Sequence, residues 1–176
     1  MTQQHLAPLL LASTLLLAGC PHGGGNGPPP DACEVAAMET PSANLGTGST
    51  IFADLSDGDD VEVHQGAQGG FHVWGTVRVT GLYPGDRDHR SDPSNPDVVF
   101  TVTLMDGTVV GDTGSLLRAL KVRRDGQVEL VGEIVPMMIS SVDDVAFQQA
   151  TLTVSVTDFC DTTVMDSRMV RLIPSM

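Results

Sequence analysis

Along most of this chain, apolar and polar residues alternate with a period of two. In Phe71–Thr80, the residues Phe71, Val73, Val77 and Val79 share one side, and His72, Trp74, Thr76, Arg78 and Thr80 share the other. In Val98–Met105, Val98, Phe100, Val102 and Leu104 alternate with Val99, Thr101 and Thr103. In Thr151–Thr157, Leu152, Val154 and Val156 alternate with threonine and serine. Successive side chains of a strand point to opposite faces, so each stretch predicts a half-buried strand. Turn-forming pairs punctuate them: Asp57-Gly58, Gly69-Gly70, Pro84-Gly85, Asp106-Gly107 and Asp125-Gly126. Leu116–Arg123 and Val128–Val135 flank Asp125-Gly126 as a hairpin, and Ser167–Ile173 reads as a last strand. The pattern predicts about seven to nine short strands, each with one apolar face. That is the signature of an all-β, antiparallel β-sandwich of immunoglobulin-like Greek-key topology, with a jelly roll as the alternative.

The N-terminus breaks this rhythm. Leu6–Leu17 is a mainly apolar run, shorter than the ~20 residues a spanning helix needs but suited to a signal segment. It ends in Leu17-Ala18-Gly19-Cys20, which resembles the lipobox of bacterial lipoprotein signal peptides. The resemblance implies cleavage before Cys20 and a diacylglyceryl thioether on its sulfur. One feature departs from the pattern: Met1–His5 contains no Lys or Arg. Acyl chains contribute ~0.8 kcal/mol per buried CH₂, so two or three of them anchor a protein durably. The stretch Pro21–Pro30, PHGGGNGPPP, reads as a tether, flexible where glycine dominates and stiff at the proline triplet. The expected organisation is therefore a signal peptide over 1–19, a lipidated cysteine and tether over 20–49, and a β-domain over 50–176. One helical turn is expected within the tether around Glu34–Met38.

Charge narrows the partners. The formal net charge is −13, and the nine basic residues comprise eight Arg and one Lys. So acidic a surface argues against nucleic acid and against direct adsorption to anionic lipid. The expected contacts are the membrane, through the lipid anchor, and a protein or glycan ligand. Pro21 is not the aspartate that marks inner-membrane retention in lipoproteins of enteric bacteria, so the resemblance implies the outer membrane, on its periplasmic or surface face. With Cys20 acylated, Cys33 and Cys160 remain. An exported chain meets oxidising conditions, which predicts a Cys33–Cys160 disulfide. Gly69-Gly70-Phe71-His72-Val73-Trp74 and Gly81-Leu82-Tyr83-Pro84-Gly85 resemble segments of uncharacterised lipoproteins of GC-rich Gram-negative bacteria. That resemblance implies a sandwich domain and no particular activity.

Few residues suggest chemistry. Asp112-Thr113-Gly114-Ser115 resembles the Asp-Thr-Gly-Ser motif of aspartic proteases, and Leu130-Val131-Gly132 resembles that family's later apolar-apolar-Gly element. The chemistry needs two such aspartates sharing a proton, hence a dimer of this chain. Gly111 stands where the family has a bulky apolar residue, and a polar turn explains the same string. The domain is therefore expected to be non-catalytic. Asp86, Asp88, Asp92 and Asp97 are calcium candidates in one loop, and Asp54, Asp57, Asp59 and Asp60 form a second acidic loop. Neither has EF-hand spacing, and Arg87 and Arg90 interrupt the first. His64, His72 and His89 show no zinc-ligand spacing, and no cofactor motif occurs. His72, Trp74 and Arg78, on the polar side of one strand, form a candidate binding patch if that side is open.

Overall fold

The computed structural model describes residues 28–175. The expected signal segment, the expected lipid site Cys20 and the glycine-rich part of the expected tether lie outside them. Among the described residues no helix is long and apolar enough to cross a membrane.

The chain is almost entirely β. A short helix α1 (Ala32–Ala36) is followed by β1 (Ser42–Thr47), β2 (Ala53–Asp54), β3 (Asp60–Gln65), β4 (Phe71–Thr80) and β5 (Asp97–Leu104). Then come β6 (Val109–Asp112), β7 (Leu116–Leu117), β8 (Lys121–Val122), β9 (Val128–Met137), β10 (Gln149–Thr157) and β11 (Thr163–Pro174). The alternating stretches form strands because their apolar sides fill one interior. Val73, Val77, Val98, Phe100, Val102, Val135, Val154 and Val156 are each wholly buried. The Asp125-Gly126 hairpin is present, with Val122 opposite Val128 and Arg123 N–H bonded to Gln127 O, but of its expected first arm, Leu116–Arg123, only Lys121–Val122 pair with β9, and Leu116–Leu117 pair with β5 instead.

Hydrogen bonding runs β4-β3-β11-β10-β5-β6-β9 and returns to β4, so the sheet closes into a barrel. Closure of this kind leaves few strand edges exposed. Strand β4 is the hub. Nearly its whole length pairs with β9, and its other edge is shared: Phe71 and His72 pair with β3, and Thr76–Thr80 with β1. Closure is thinnest between β6 and β9, where only Gly111 and Met137 pair. Two expectations change here. Strands β3 and β11 run parallel, so the sheet is mixed and not wholly antiparallel. The sheet also begins at Ser42, inside the segment expected to be tether. Only Leu45 of β1 is a large apolar residue, too little for periodicity to register, yet it is fully buried.

The interior is set by Phe100, whose ring faces Gly75 across the barrel. A Cβ at Gly75 would stand 2.8 Å from the Phe100 ring and 3.0 Å from Val135. Glycine there makes room for the largest of the fully buried side chains. Next to it the β4–β9 register shifts between Gly75 and Val77. Thr76 is buried at this irregularity, and its hydroxyl donates to Thr47 O.

Cys33 and Cys160 form a disulfide, with Cα atoms 5.6 Å apart. It ties α1 to the turn between β10 and β11. That turn is built around Asp158, 5% exposed, whose carboxylate accepts the N–H groups of Tyr83, Cys160 and Thr162. The bridge spans a sequence separation of 127 residues. Constraint of so long a loop in the unfolded chain is worth about 5 kcal/mol in the chain-entropy model. We expect Cys33→Ser with Cys160→Ser to lower the urea midpoint by the equivalent of roughly 2–5 kcal/mol. Reduction of the parent chain should do the same, and an unchanged midpoint in both measurements would contradict a stabilising bridge.

Candidate functional site

The outer surfaces of β3 and β4 meet at one end of their pairing. Asp60, Glu62 and His64 alternate with buried Val61 and Val63, so the three polar residues face outward along β3. His64 lies opposite His72 in the register. The two imidazole centroids are 5.6 Å apart, and His72 meets Trp74 edge-to-face at 4.9 Å. Such T-shaped contacts suit the aromatic quadrupole.

The turn after β1 supplies the opposite wall. Thr47 Oγ1 donates to Trp74 O at 2.9 Å, holding the turn over β4. On the other flank Gly132 of β9 has φ +76°, and a Cβ there would stand 2.2 Å from Ser49 O. Only glycine lets the turn seat at that distance. The result is a cavity of about 370 Å³ lined by Thr47, Gly48, Ser49, Asp60, Glu62, His64 and Trp74.

Its electrostatics are divided. Asp60 is clamped by Arg171 through two bonds of 2.7 and 2.8 Å, and this holds its carboxyl below the usual range. Glu62 lies 3.5 Å from His64 Nε2 and keeps an outward oxygen surface. His72 Nε2 is buried with no hydrogen-bond partner among the described residues. Burial first, and the neighbouring His64 second, push the His72 imidazole below its ordinary value. The cavity can therefore offer the Trp74 indole, hydroxyls, the Glu62 carboxylate and the His64 imidazole to a ligand. Glu62 and His64, 3.5 Å apart, both line the cavity beside Trp74.

The expected residues distribute as follows. His72 and Trp74 come together, half-buried, and His64 joins them. His64 escaped the sequence pattern because β3 carries only two inward valines. Arg78 is elsewhere engaged: its guanidinium lies 4.1 Å from the centroid of the Phe52 ring and donates to Glu129 at 3.3 Å. It belongs to a strut between β4 and β9 and does not line the cavity. Glu129 is 7% exposed; burial pushes its carboxyl up, but hydrogen bonds from Arg123 and Arg78 outweigh this and hold it low.

The calcium candidates do not converge. Asp86 accepts from Asp88 N–H and from His89, Asp92 accepts the N–H and hydroxyl of Ser94, and Asp97 accepts the hydroxyl of Ser115. In the other acidic loop Asp54 binds Asn44, Asp57 binds Met169 N–H, and Asp59 binds Ser56 N–H. Among the described residues no group of three or more His, Cys, Asp or Glu is placed to hold a metal. Asp112 is exposed at the end of β6, and its carboxylate accepts Gly114 N–H at 2.7 Å. Thr113 Oγ1 accepts Phe100 N–H and donates to Gly114 O. The Asp-Thr-Gly-Ser string thus closes its own turn.

No family model, curated protein or solved structure matches this chain.

The two perturbed imidazoles titrate in opposite directions. His89 bonds Asp86 at 2.8 Å, which raises its pKa. An imidazole normally titrates near ~6.5. His72 then contributes stability that is complete above that value and is lost as pH falls through its folded midpoint. The His89 contribution is complete below that value and is lost as pH rises through its folded midpoint. Histidine NMR titration of the intact chain should order the midpoints His72 below His89, on either side of the unperturbed value. Coincident midpoints would contradict the burial of His72.

Proposed function

We propose that this chain is an envelope lipoprotein, anchored through Cys20, whose β-domain is a non-catalytic binding module for a glycan. The cavity between β3, β4 and the β1–β2 turn carries the binding half of this reading. An indole face beside hydroxyls and a carboxylate suits a sugar ring, which stacks its C–H face on the aromatic and offers hydroxyls to the rim. A net charge of −13 disfavours anionic polymers as general partners. The anchoring half rests on Leu17-Ala18-Gly19-Cys20, and its destination is read as the outer membrane.

The fold reading within this proposal is immunoglobulin-like. The order β1-β4-β9-β8 corresponds to one sheet of such a sandwich, and β3-β11-β10-β5-β6 to the other. The short β3–β4 and β6–β9 pairings then join the two sheets at their margins. In this scheme β5 and β10 are central strands, consistent with their uninterrupted pairing from Ala150 with Leu104 to Thr157 with Asp97.

Two measurements test the proposal. Mass spectrometry of the N-terminal peptide of protein from a bacterial envelope should show a diacylglyceryl group on Cys20, absent in Cys20→Ala. A mature N-terminus elsewhere would remove the anchor. For binding, calorimetric titration of the full chain with soluble neutral and N-acetylated oligosaccharides should saturate with at least one of them. Trp74→Ala should weaken that binding about tenfold, or ~1.4 kcal/mol, while thermal unfolding remains cooperative. No saturable binding by any of them would refute the glycan reading. Pepstatin-sensitive proteolysis at acid pH, abolished by Asp112→Asn, would replace it with a dimeric aspartic protease.

A further inference from the structure

A second cavity, of about 430 Å³, lies where the barrel closure is thin. Its walls are Arg87 and Arg90 from the β4–β5 loop, Leu117, Arg118 and Ala119 between β7 and β8, and Glu133 of β9. Past the single Gly111–Met137 pair the chain leaves β9, and β7 pairs with β5 instead. That departure leaves the 117–119 segment and Glu133 facing the long β4–β5 loop.

Charge accounting makes this cavity unusual. Arg78, Arg118, Lys121, Arg123, Arg168 and Arg171 each pair with a carboxylate. Among the described residues Arg87, Arg90 and Arg124 have no such partner, although the sequence holds 22 Asp and Glu. Two of these three line the same cavity. A guanidinium is charged at every accessible pH and presents planar donors suited to oxyanions. Arg87 and Arg90 are both exposed and stay without a carboxylate partner although Asp86, Asp88 and Asp92 share their loop, which leaves both guanidiniums open to an external anion.

Of the acidic residues nearby, Glu133 and Asp86 are engaged, whereas the exposed Asp88 carboxylate has no hydrogen-bond or ion-pair partner among the described residues. Glu133 receives a fork from Arg118, Nε at 2.8 Å and Nη2 at 3.0 Å. Arg118 also donates to Leu117 O, so it buttresses the wall and offers little to a ligand. Asp86 is held by Asp88 N–H and by His89. The loop bearing Arg87 and Arg90 is itself fixed from beneath. Asn95, 2% exposed, donates to His89 O and Arg90 O and accepts Asp86 N–H. Asp92, 6% exposed, bonds Ser94 twice. Buried polar residues thus hold the backbone on both sides of the two arginines, which lowers the ordering cost of binding.

We infer that this cavity is an oxyanion site, in which Arg87 and Arg90 receive a doubly charged phosphate or sulfate group and Leu117 and Ala119 border its apolar remainder. The site is separate from the aromatic ledge and stands whether or not that ledge binds a glycan. Two unpaired guanidiniums match two negative charges, so a monocarboxylate should bind far more weakly.

The test uses the purified full chain at constant ionic strength, titrated with methyl phosphate, sodium sulfate and sodium acetate and followed by NMR of the arginine Nε–H groups. Saturable shifts at Arg87 and Arg90 with a dianion are expected. Arg87→Gln with Arg90→Gln should weaken that binding at least tenfold. Arg124→Gln removes an arginine that borders a different cavity, and should leave the affinity unchanged. Tighter binding of methyl phosphate would assign phosphate esters, and tighter binding of sulfate would assign sulfate esters. Equal losses in the Arg124→Gln control, acetate binding as tight as the dianions, or an adventitious ion only, without saturation, would each overturn the site.

Discussion

The seat of Phe100 against Gly75 governs the rest of this structure. Phe100 sits mid-strand on β5, and Gly75 sits mid-strand on β4, on the far side of the interior. Burial of such a ring contributes about 1.5–3 kcal/mol, but only if the facing wall has no side chain to displace it. The absence of a Cβ at Gly75 lets the ring fill the interior. The same place is where the β4–β9 register slips, which buries Thr76 and turns its hydroxyl toward Thr47. That contact helps fix the β1–β2 turn, and the turn forms one wall of the aromatic cavity. A core-packing constraint is thereby transmitted, residue by residue, to the outer surface.

The charged residues follow a second economy. With so few cations, most are spent as struts. Arg171 clamps Asp60, Arg118 clamps Glu133, and Arg78 and Arg123 converge on Glu129. Each strut links different segments; the Arg171–Asp60 pair is exposed, whereas Glu129 is almost completely buried. Exposed pairs are worth ~0–1 kcal/mol, whereas a buried carboxylate left without its partner is costly. The arginines withheld from this duty, Arg87 and Arg90, therefore stand out against a consistent background.

How much of this was legible follows from the length of each pattern. β4 was readable to the residue, because ten residues with four inward apolar side chains over-determine the period. β5 and β10 were readable for the same reason. β1 and β3 were not: Leu45 alone, or Val61 and Val63 alone, cannot distinguish a strand from a loop. Their burial depends on long-range pairing with β4 and β11, which no local window contains. The parallel β3–β11 pair was invisible on the same ground, since alternation carries no direction. The pairing of Cys33 with Cys160 was legible by elimination, once Cys20 was assigned elsewhere. The site was half legible. His72 and Trp74 shared a visible face, whereas His64 required knowledge of which strand lies beside them. Arg78 shared that face too, but its partners Phe52 and Glu129 arrive from distant sequence and remove it from the patch.

The two cavities are built by different means, and the difference bears on what each can do. The aromatic ledge stands on paired strands, where backbone hydrogen bonds fix the side chains and a ligand meets a surface already formed. The arginine cavity depends on a loop, and loops ordinarily spend binding energy on ordering. Here the loop borrows rigidity from beneath, since Asn95 and Asp92 are buried and bonded to the backbone or side chains of its own residues. Burying an amide and a carboxylate is tolerable only because their hydrogen bonds are satisfied. A solvated turn would need neither. The polar groups sunk under this loop fix the backbone from which the exposed Arg87 and Arg90 side chains project.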